Sequence, residues 1–160
     1  DSCMTTHPKV QRVVEAAAAA GIAADVREFP DGTRTAGDAA RAVGSDVAAI
    51  VKTLVWIADG EPVIAMVSGA NRVDPAKLAA AAGAAEARRA TAEEAREATG
   101  FAVGGTPPFG HSRSIRFFID PTLLALPEVW VAAGTPTTVF AVEPNALQKA
   151  TGAAAADVAE

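Results

Sequence analysis

Ile50-Val-Lys-Thr-Leu-Val-Trp-Ile-Ala58, followed by Asp59-Gly60 and then Pro62-Val-Ile-Ala-Met-Val67, is the stretch on which the fold turns. Its first part is rich in β-branched and aromatic residues, which predicts a strand over 50–58. Asp-Gly supplies the two positive-φ positions of a tight hairpin turn, so 62–67 is expected to return as an antiparallel partner. Side chains alternate along a strand. Ile50, Lys52, Leu54 and Trp56 therefore share one face, and Val51, Thr53, Val55 and Ile57 the other. Both faces are apolar, as in a central strand covered on both sides. Lys52 is the exception. A lysine there either runs its stem out to an edge or lines a cavity, where its ammonium is a point charge for a phosphate, a carboxylate or a developing oxyanion.

Working outward, punctuation is the better guide, because alanine supplies about a quarter of the chain and blurs helical periodicity. Upstream, a helix through Val10, Val13 and Val14 is expected to be capped at Thr6, with His7 and Pro8 in its first turn, and to stop at Gly21. Ile22 to Phe29 predicts a strand closed by Pro30-Asp31-Gly32. Thr35 predicts the cap of a short helix ending at Gly44. Downstream, Asp74-Pro75 opens a helix that Gly83 ends. Arg88-Arg89 reads as a solvated edge. Thr91-Ala92-Glu93-Glu94 fits a capping box for a helix stopped by Gly100. Strands are expected at 115–119, 129–133 and 138–142, and a last helix from Pro144 to Gly152. About six strands and five helices result, in one α/β domain with a mixed, largely antiparallel sheet. Residues 153–160 are expected to fray.

The 160 residues are 50% hydrophobic and 21% charged, with net charge −5. Mean hydropathy is +0.20 and the pI is near 5.0. Such a composition excludes an intrinsically disordered chain. The alanine runs are interrupted before they reach the roughly 18–20 residues of a membrane span. One cysteine, Cys3, leaves no internal disulfide, and with only His7 and His111 a Cys- or His-based metal centre is not expected. Asp1-Ser2-Cys3 before Met4 reads as an added leader, no secretory signal follows, and cytoplasm is the expected compartment. The acidic balance opposes a broad nucleic-acid-coating surface but not a local contact with an RNA end.

Besides Lys52, three segments carry candidate chemistry. Gly104-Gly105-Thr106-Pro107-Pro108-Phe109-Gly110-His111 is either a loop offering main-chain donors to a ligand or a tight surface turn. His111 is a base or donor in the first reading and a solvated loop histidine in the second. Ser68-Gly69-Ala70-Asn71-Arg72 follows a strand, where binding groups are common, and is equally a plain strand-to-helix connection. Ala133-Gly134-Thr135-Pro136-Thr137-Thr138 alone reads as a hairpin. No phosphate-cradling glycine motif or nucleophile elbow is present.

Taken together and in order, the Ile-Val-Lys-Thr-Leu-Val strand, the 62–74 segment Pro-Val-Ile-Ala-Met-Val-Ser-Gly-Ala-Asn-Arg-Val-Asp, the 99–111 segment Thr-Gly-Phe-Ala-Val-Gly-Gly-Thr-Pro-Pro-Phe-Gly-His, the strand ending in Asp120 and Val-Trp-Val-Ala-Ala-Gly at 129–134 resemble the YbaK/prolyl-tRNA-synthetase-associated family of trans-editing aminoacyl-tRNA deacylases. The resemblance covers 8–152. It implies a barrel-like editing-domain fold and hydrolysis of the ester joining a wrong small amino acid (Ala, Cys, Ser or Thr) to a tRNA 3′ end. It also implies water attack without metal, cofactor or covalent nucleophile. The expected catalytic set is Lys52 with Gly104 and Gly105. The expected substrate-binding set is Thr35, Ser68, Gly69, Asn71, Arg72, Thr106, Pro107, Pro108, Phe109, Gly110, His111 and Gly134, with Thr33 and Met66 as further wall residues. The implied partners are the aminoacyl-tRNA acceptor end and an aminoacyl-tRNA synthetase, with no membrane, and the chain is expected to be a monomer. The alternative is a non-catalytic module that binds a tRNA end or nucleotide beside a synthetase.

Overall fold

In a computed structural model that describes residues 7–30, 32–33, 35–102 and 105–160, the hairpin forms as β2 (Val51–Ala58) and β3 (Glu61–Ser68). Asp59 (φ 47°) and Gly60 (φ 83°) both take the left-handed backbone the turn requires. The Asp59 carboxylate also accepts the N–H groups of Ala85 and Glu86, fixing the turn against the next edge. Upstream lie α1 (Pro8–Ala19), β1 (Arg27–Glu28) and α2 (Ala36–Val43). Downstream follow α3 (Pro75–Ala82), β4 (Ala87–Arg89), α4 (Ala92–Thr99), β5 (Arg116–Ile119), α5 (Pro121–Leu124), β6 (Val129–Ala132), β7 (Thr138–Val142), α6 (Pro144–Thr151) and β8 (Ala154–Ala155).

The strands form two open sheets, ordered β4-β2-β3-β5-β8 and β1-β7-β6. β2 pairs antiparallel with β3 and β4, β3 pairs parallel with β5, and β5 parallel with β8. The smaller sheet is antiparallel throughout. One parallel bridge, Ile50 with Trp130, joins the two. The mixed α/β expectation therefore holds. The six-strand, barrel-like one does not: eight strands are described and neither sheet closes, because each sheet ends on strands of two to four residues. Three further expectations are corrected. Of 22–29 only Arg27–Glu28 enters a ladder, since β7 offers it only Thr138 and Val139. His7, not Thr6, caps α1, its Nδ1 accepting the Lys9 N–H; Thr6 and Cys3 lie outside the described residues. Arg88 and Arg89 are exposed on edge strand β4, in keeping with the solvated edge expected of them. The 153–160 segment is packed, not frayed, because its apolar side chains have a sheet to cover: Val158 is fully buried, β8 pairs with β5, and Ala159 bridges Val73.

The alternation read from the hairpin is realised. Val51, Val55, Ile64 and Met66 enter the main core with Val10, Val13, Phe101 and Phe140. Trp56, Val63, Ala65 and Val67 face a second core with Leu78, Phe118 and Val158. β2 and β3 are thus covered on both faces. That leaves the edge of β2 as the place where a ligand can reach the strand.

Candidate active site

A cleft of about 370 Å³ opens along that edge. Ile50 bridges to β6 at one end of β2, and Trp56, Ile57 and Ala58 pair with β4 at the other. Between them, residues 51–55 have no ladder on this side among the described residues. The Val55 carbonyl accepts the Ala90 N–H here, and alternate residues of a strand send their peptide groups to the same side. The Thr53 N–H and C=O therefore face the cleft. The Thr53 hydroxyl is buried and finds no hydrogen-bond partner among the described residues. Ala39, Val51, Val55, Ala95 and Val131 make the wall small and apolar, and Thr33, Thr35, Lys52, Arg89 and Thr106 add polar groups.

Three of those polar groups already have partners. The Thr33 hydroxyl donates to the Pro136 carbonyl, that of Thr35 caps α2 by accepting the Asp38 N–H, and that of Thr106 donates to the Ala102 carbonyl. Lys52 donates its ammonium to the main-chain carbonyl of Asn71. Burial pushes the Lys52 pKa below the ordinary lysine range, Arg72 and Arg89 push the same way, and Asp120 opposes them. Among the described residues the ion pairs are Arg41–Asp38, Lys77–Asp157 and Arg88–Glu94, so neither Arg72 nor Arg89 is neutralised by one.

The segment after β3 supports Lys52 from behind. Ser68 is fully buried; its hydroxyl donates to the Ala48 carbonyl and accepts the Ala70 N–H. A Cβ on Gly69 would lie 2.5 Å from the Val47 carbonyl oxygen, so only glycine closes this corner. The Asn71 side-chain amide donates to Asp120 Oδ2 at 2.7 Å and to the Thr122 hydroxyl at 3.1 Å. Burial works against ionisation of Asp120, but hydrogen bonds from Asn71, Thr122 and Ser68 outweigh it and hold its carboxyl below the usual range.

Gly104 lies outside the described residues. Gly105 rests backbone to backbone on the 134–136 turn: its Cβ would come within 2.7 Å of the Thr135 carbonyl carbon. Gly134 (φ 111°) has the Lys9 carbonyl 3.2 Å from its Cβ position. The two glycine segments thus meet. The rest of the loop is bolted to the core. Pro107 and Pro108 are buried, Phe109 stacks on Phe140 at 6.3 Å, and the Gly110 carbonyl accepts from Arg12 Nε. His111 stacks on Phe117 at 5.4 Å, and since a carbonyl only accepts, its Nε2–H donates to Pro107 at 2.6 Å. Of the expected site residues, Lys52, Thr35 and Thr106 line the cleft, as does Thr33 of the further wall residues. Met66, Ser68, Phe109 and His111 do not line it. Thr53 and Arg89 line it although sequence reasoning passed over them. Thr53 was one polar residue in an apolar strand, and Arg89 one half of an apparently solvated pair.

Residues 30–150 match the profile of the family described as the aminoacyl-tRNA editing domain. The chain belongs to that family. This editing domain is 29% identical over 126 residues to the uncharacterized protein YwhH of Bacillus subtilis (strain 168), covering 78% of this chain and 80% of YwhH. It is 36% identical over 102 residues to the proline–tRNA ligase of Nitratidesulfovibrio vulgaris (strain DP4), 63% of this chain but only 18% of the ligase. Among solved structures, a proposed trans-editing enzyme for prolyl tRNA synthetase superposes with a TM-score of 0.90 at 44% identity, covering 96% of this chain and 98% of that one. Among the described residues the cleft sets small apolar side chains beside the Lys52 ammonium, and no Asp, Glu, His, Cys or Ser lines it. Among the described residues no group of three or more His, Cys, Asp or Glu is arranged to hold a metal ion. No described helix is long and apolar enough to cross a membrane.

Proposed function

We propose that this editing domain acts in trans as an aminoacyl-tRNA deacylase, hydrolysing the ester of a small, wrongly attached amino acid at the tRNA 3′ end by water attack without a metal. The observation that carries the reading is the placement of Lys52 in the lining of a small apolar cleft along the edge of β2 that β4 and β6 leave uncovered. The amino acid side chain meets Val51, Val55 and Val131, and the ester carbonyl lies toward the Thr53 N–H and the Lys52 ammonium. Water adds its oxygen to the carbonyl carbon, the ester C–O bond breaks, and the proton ends on the departing ribose oxygen. The products are a free amino acid and a tRNA with a free terminal hydroxyl. The oxyanion that forms on the way is where fixed positive charge and an N–H do most, about 2.7–4 kcal/mol per donor in comparable sites. Arg72 and Arg89 act on Lys52 and have no ion pair among the described residues, which suits the phosphates of an acceptor end.

Release of labelled amino acid from Ala-, Cys-, Ser- and Thr-mischarged tRNAs tests this directly. Wild type is expected to discharge one or two of the panel, and Lys52→Ala to lose about 10²–10³ in kcat. The ammonium's contribution is present below the Lys52 pKa and disappears as pH rises through it. Because burial and two arginines lower that pKa, the basic limb of the rate profile falls at lower pH than for an ordinary lysine. Full activity in Lys52→Ala would refute the mechanism. Binding of charged tRNA with no release from any member would make the chain a binding module instead.

A further inference from the structure

The Lys52 ammonium has one hydrogen-bond acceptor among the described residues, the Asn71 carbonyl, and that carbonyl belongs to a residue whose own side chain is tied elsewhere. We propose that Asp120 and Asn71 are positioning residues: the Asp120 carboxylate fixes the Asn71 amide, and the Asn71 main-chain carbonyl thereby holds the Lys52 ammonium in the cleft lining. The proposal rests on the reading that Lys52 serves the deacylation.

Three observations converge on it. Asp120 is only 2% exposed, and each of its oxygens is used. Oδ2 accepts the Ser68 N–H at 3.2 Å and the Asn71 amide at 2.7 Å, and Oδ1 accepts the Thr122 N–H at 2.9 Å. The anchor sits on rigid backbone, because the Asp120 N–H donates to the Met66 carbonyl and α5 starts at the next residue. Among the described residues the carboxylate is also the one acidic group that acts appreciably on Lys52, against the two arginines Arg72 and Arg89. One residue thus sets where the ammonium sits and offsets part of the charge that discourages it. A helix cap needs only Oδ1; the Oδ2–Asn71–Lys52 line is in addition to capping.

Two variants separate the tether from the charge. Asp120→Asn keeps the shape and a capping oxygen, removes the charge, and sets an amide donor against the Asn71 amide. Asn71→Ala keeps the Asp120 charge and removes only the tether. In both, kcat is expected to fall about tenfold to a hundredfold with KM little changed, since a small misplacement of a catalytic group costs rate more than binding. Lys52 is then titrated without substrate, by following its acylation by an amine reagent against pH with mass spectrometry. In Asp120→Asn its titration should move to lower pH, and in Asn71→Ala it should stay near wild type. Wild-type kcat in both variants together with an unmoved Lys52 titration would overturn the proposal. So would an equal fall in melting temperature and in kcat with an unmoved titration, the mark of a merely structural cap. If Lys52 titrates as expected but Lys52→Ala is fully active, the positioning stands and the deacylation reading fails, so the two failures are told apart. Should Asp120→Asn not fold, Asn71→Ala with its kcat against KM split still decides the tether.

Discussion

His111 shows how a residue that looks chemical can serve packing. Burial lowers its pKa below 6.5 and the nearby Arg12 acts the same way, while the bond to the Pro107 carbonyl opposes them. The folded chain therefore prefers the neutral ring. Below about pH 6.5 the unfolded chain binds a proton that the folded one resists, so stability falls as pH falls through that window. Between pH 7 and 5 the melting temperature of wild type should drop more than that of His111→Asn, which has nothing to titrate there. Equal drops would mean that the ring is not held neutral. Asp120 belongs to a separate window: its carboxyl is depressed below 3.8, so its contribution is complete above that value and lost only in stronger acid. A profile with two steps distinguishes the residue that locks the loop from the one that supports Lys52.

Loop and turn are coupled at the level of elements. At Gly105 a methyl group would press on the Thr135 main chain, which cannot swing aside as a side chain can. Gly105→Ala is expected to cost about 1–3 kcal/mol of stability and to raise KM through displacement of Thr106 from the cleft wall, measured by urea unfolding beside steady-state deacylation. Unchanged values for both would show that the two segments are not in contact. Elements with chemical punctuation were the legible ones. Thr35, Asp74 and Thr91 cap α2, α3 and α4 through their side chains, and Gly44, Gly83, Gly100 and Gly152 end α2, α3, α4 and α6 in the left-handed region. β1, β4 and β8 span two or three residues each and are too short to carry a period, so their existence depends on a neighbour's free edge rather than on their own sequence. The site divided the same way. Lys52 stood out because a charge in an apolar strand is anomalous. The cleft character of Thr53 and Arg89 arises only from where β4 stops pairing with β2, and the importance of Asp120 from a contact across 49 residues to Asn71.

At the scale of the molecule, residues 153–160 tie two parts of the fold together. They run beside β5, bury Val158, and return to the segment that carries Asn71: the Asp74 N–H donates to the Val158 carbonyl, the Glu160 N–H to the Arg72 carbonyl, and Lys77 to the Ala159 carbonyl. Deletion of residues 153–160 should lower the melting temperature, since Val158 alone represents about 1.5–3 kcal/mol of apolar burial. It should also lower kcat by loosening the segment behind Lys52; an unaltered melting temperature would contradict the packing described. The same strap has a consequence for how copies of the chain behave toward one another. β8 is two alanines long and occupies the outer edge of β5, whose sequence is Arg-Phe-Phe-Ile. Without it, a row of unpaired peptide groups flanked by aromatic side chains would be presented to any neighbour, the template from which sheet-to-sheet aggregation grows. Light scattering should reveal more association after removal of 153–160 than with that segment in place, making two small residues at the sheet's rim a guard against aggregation as well as a support for the site.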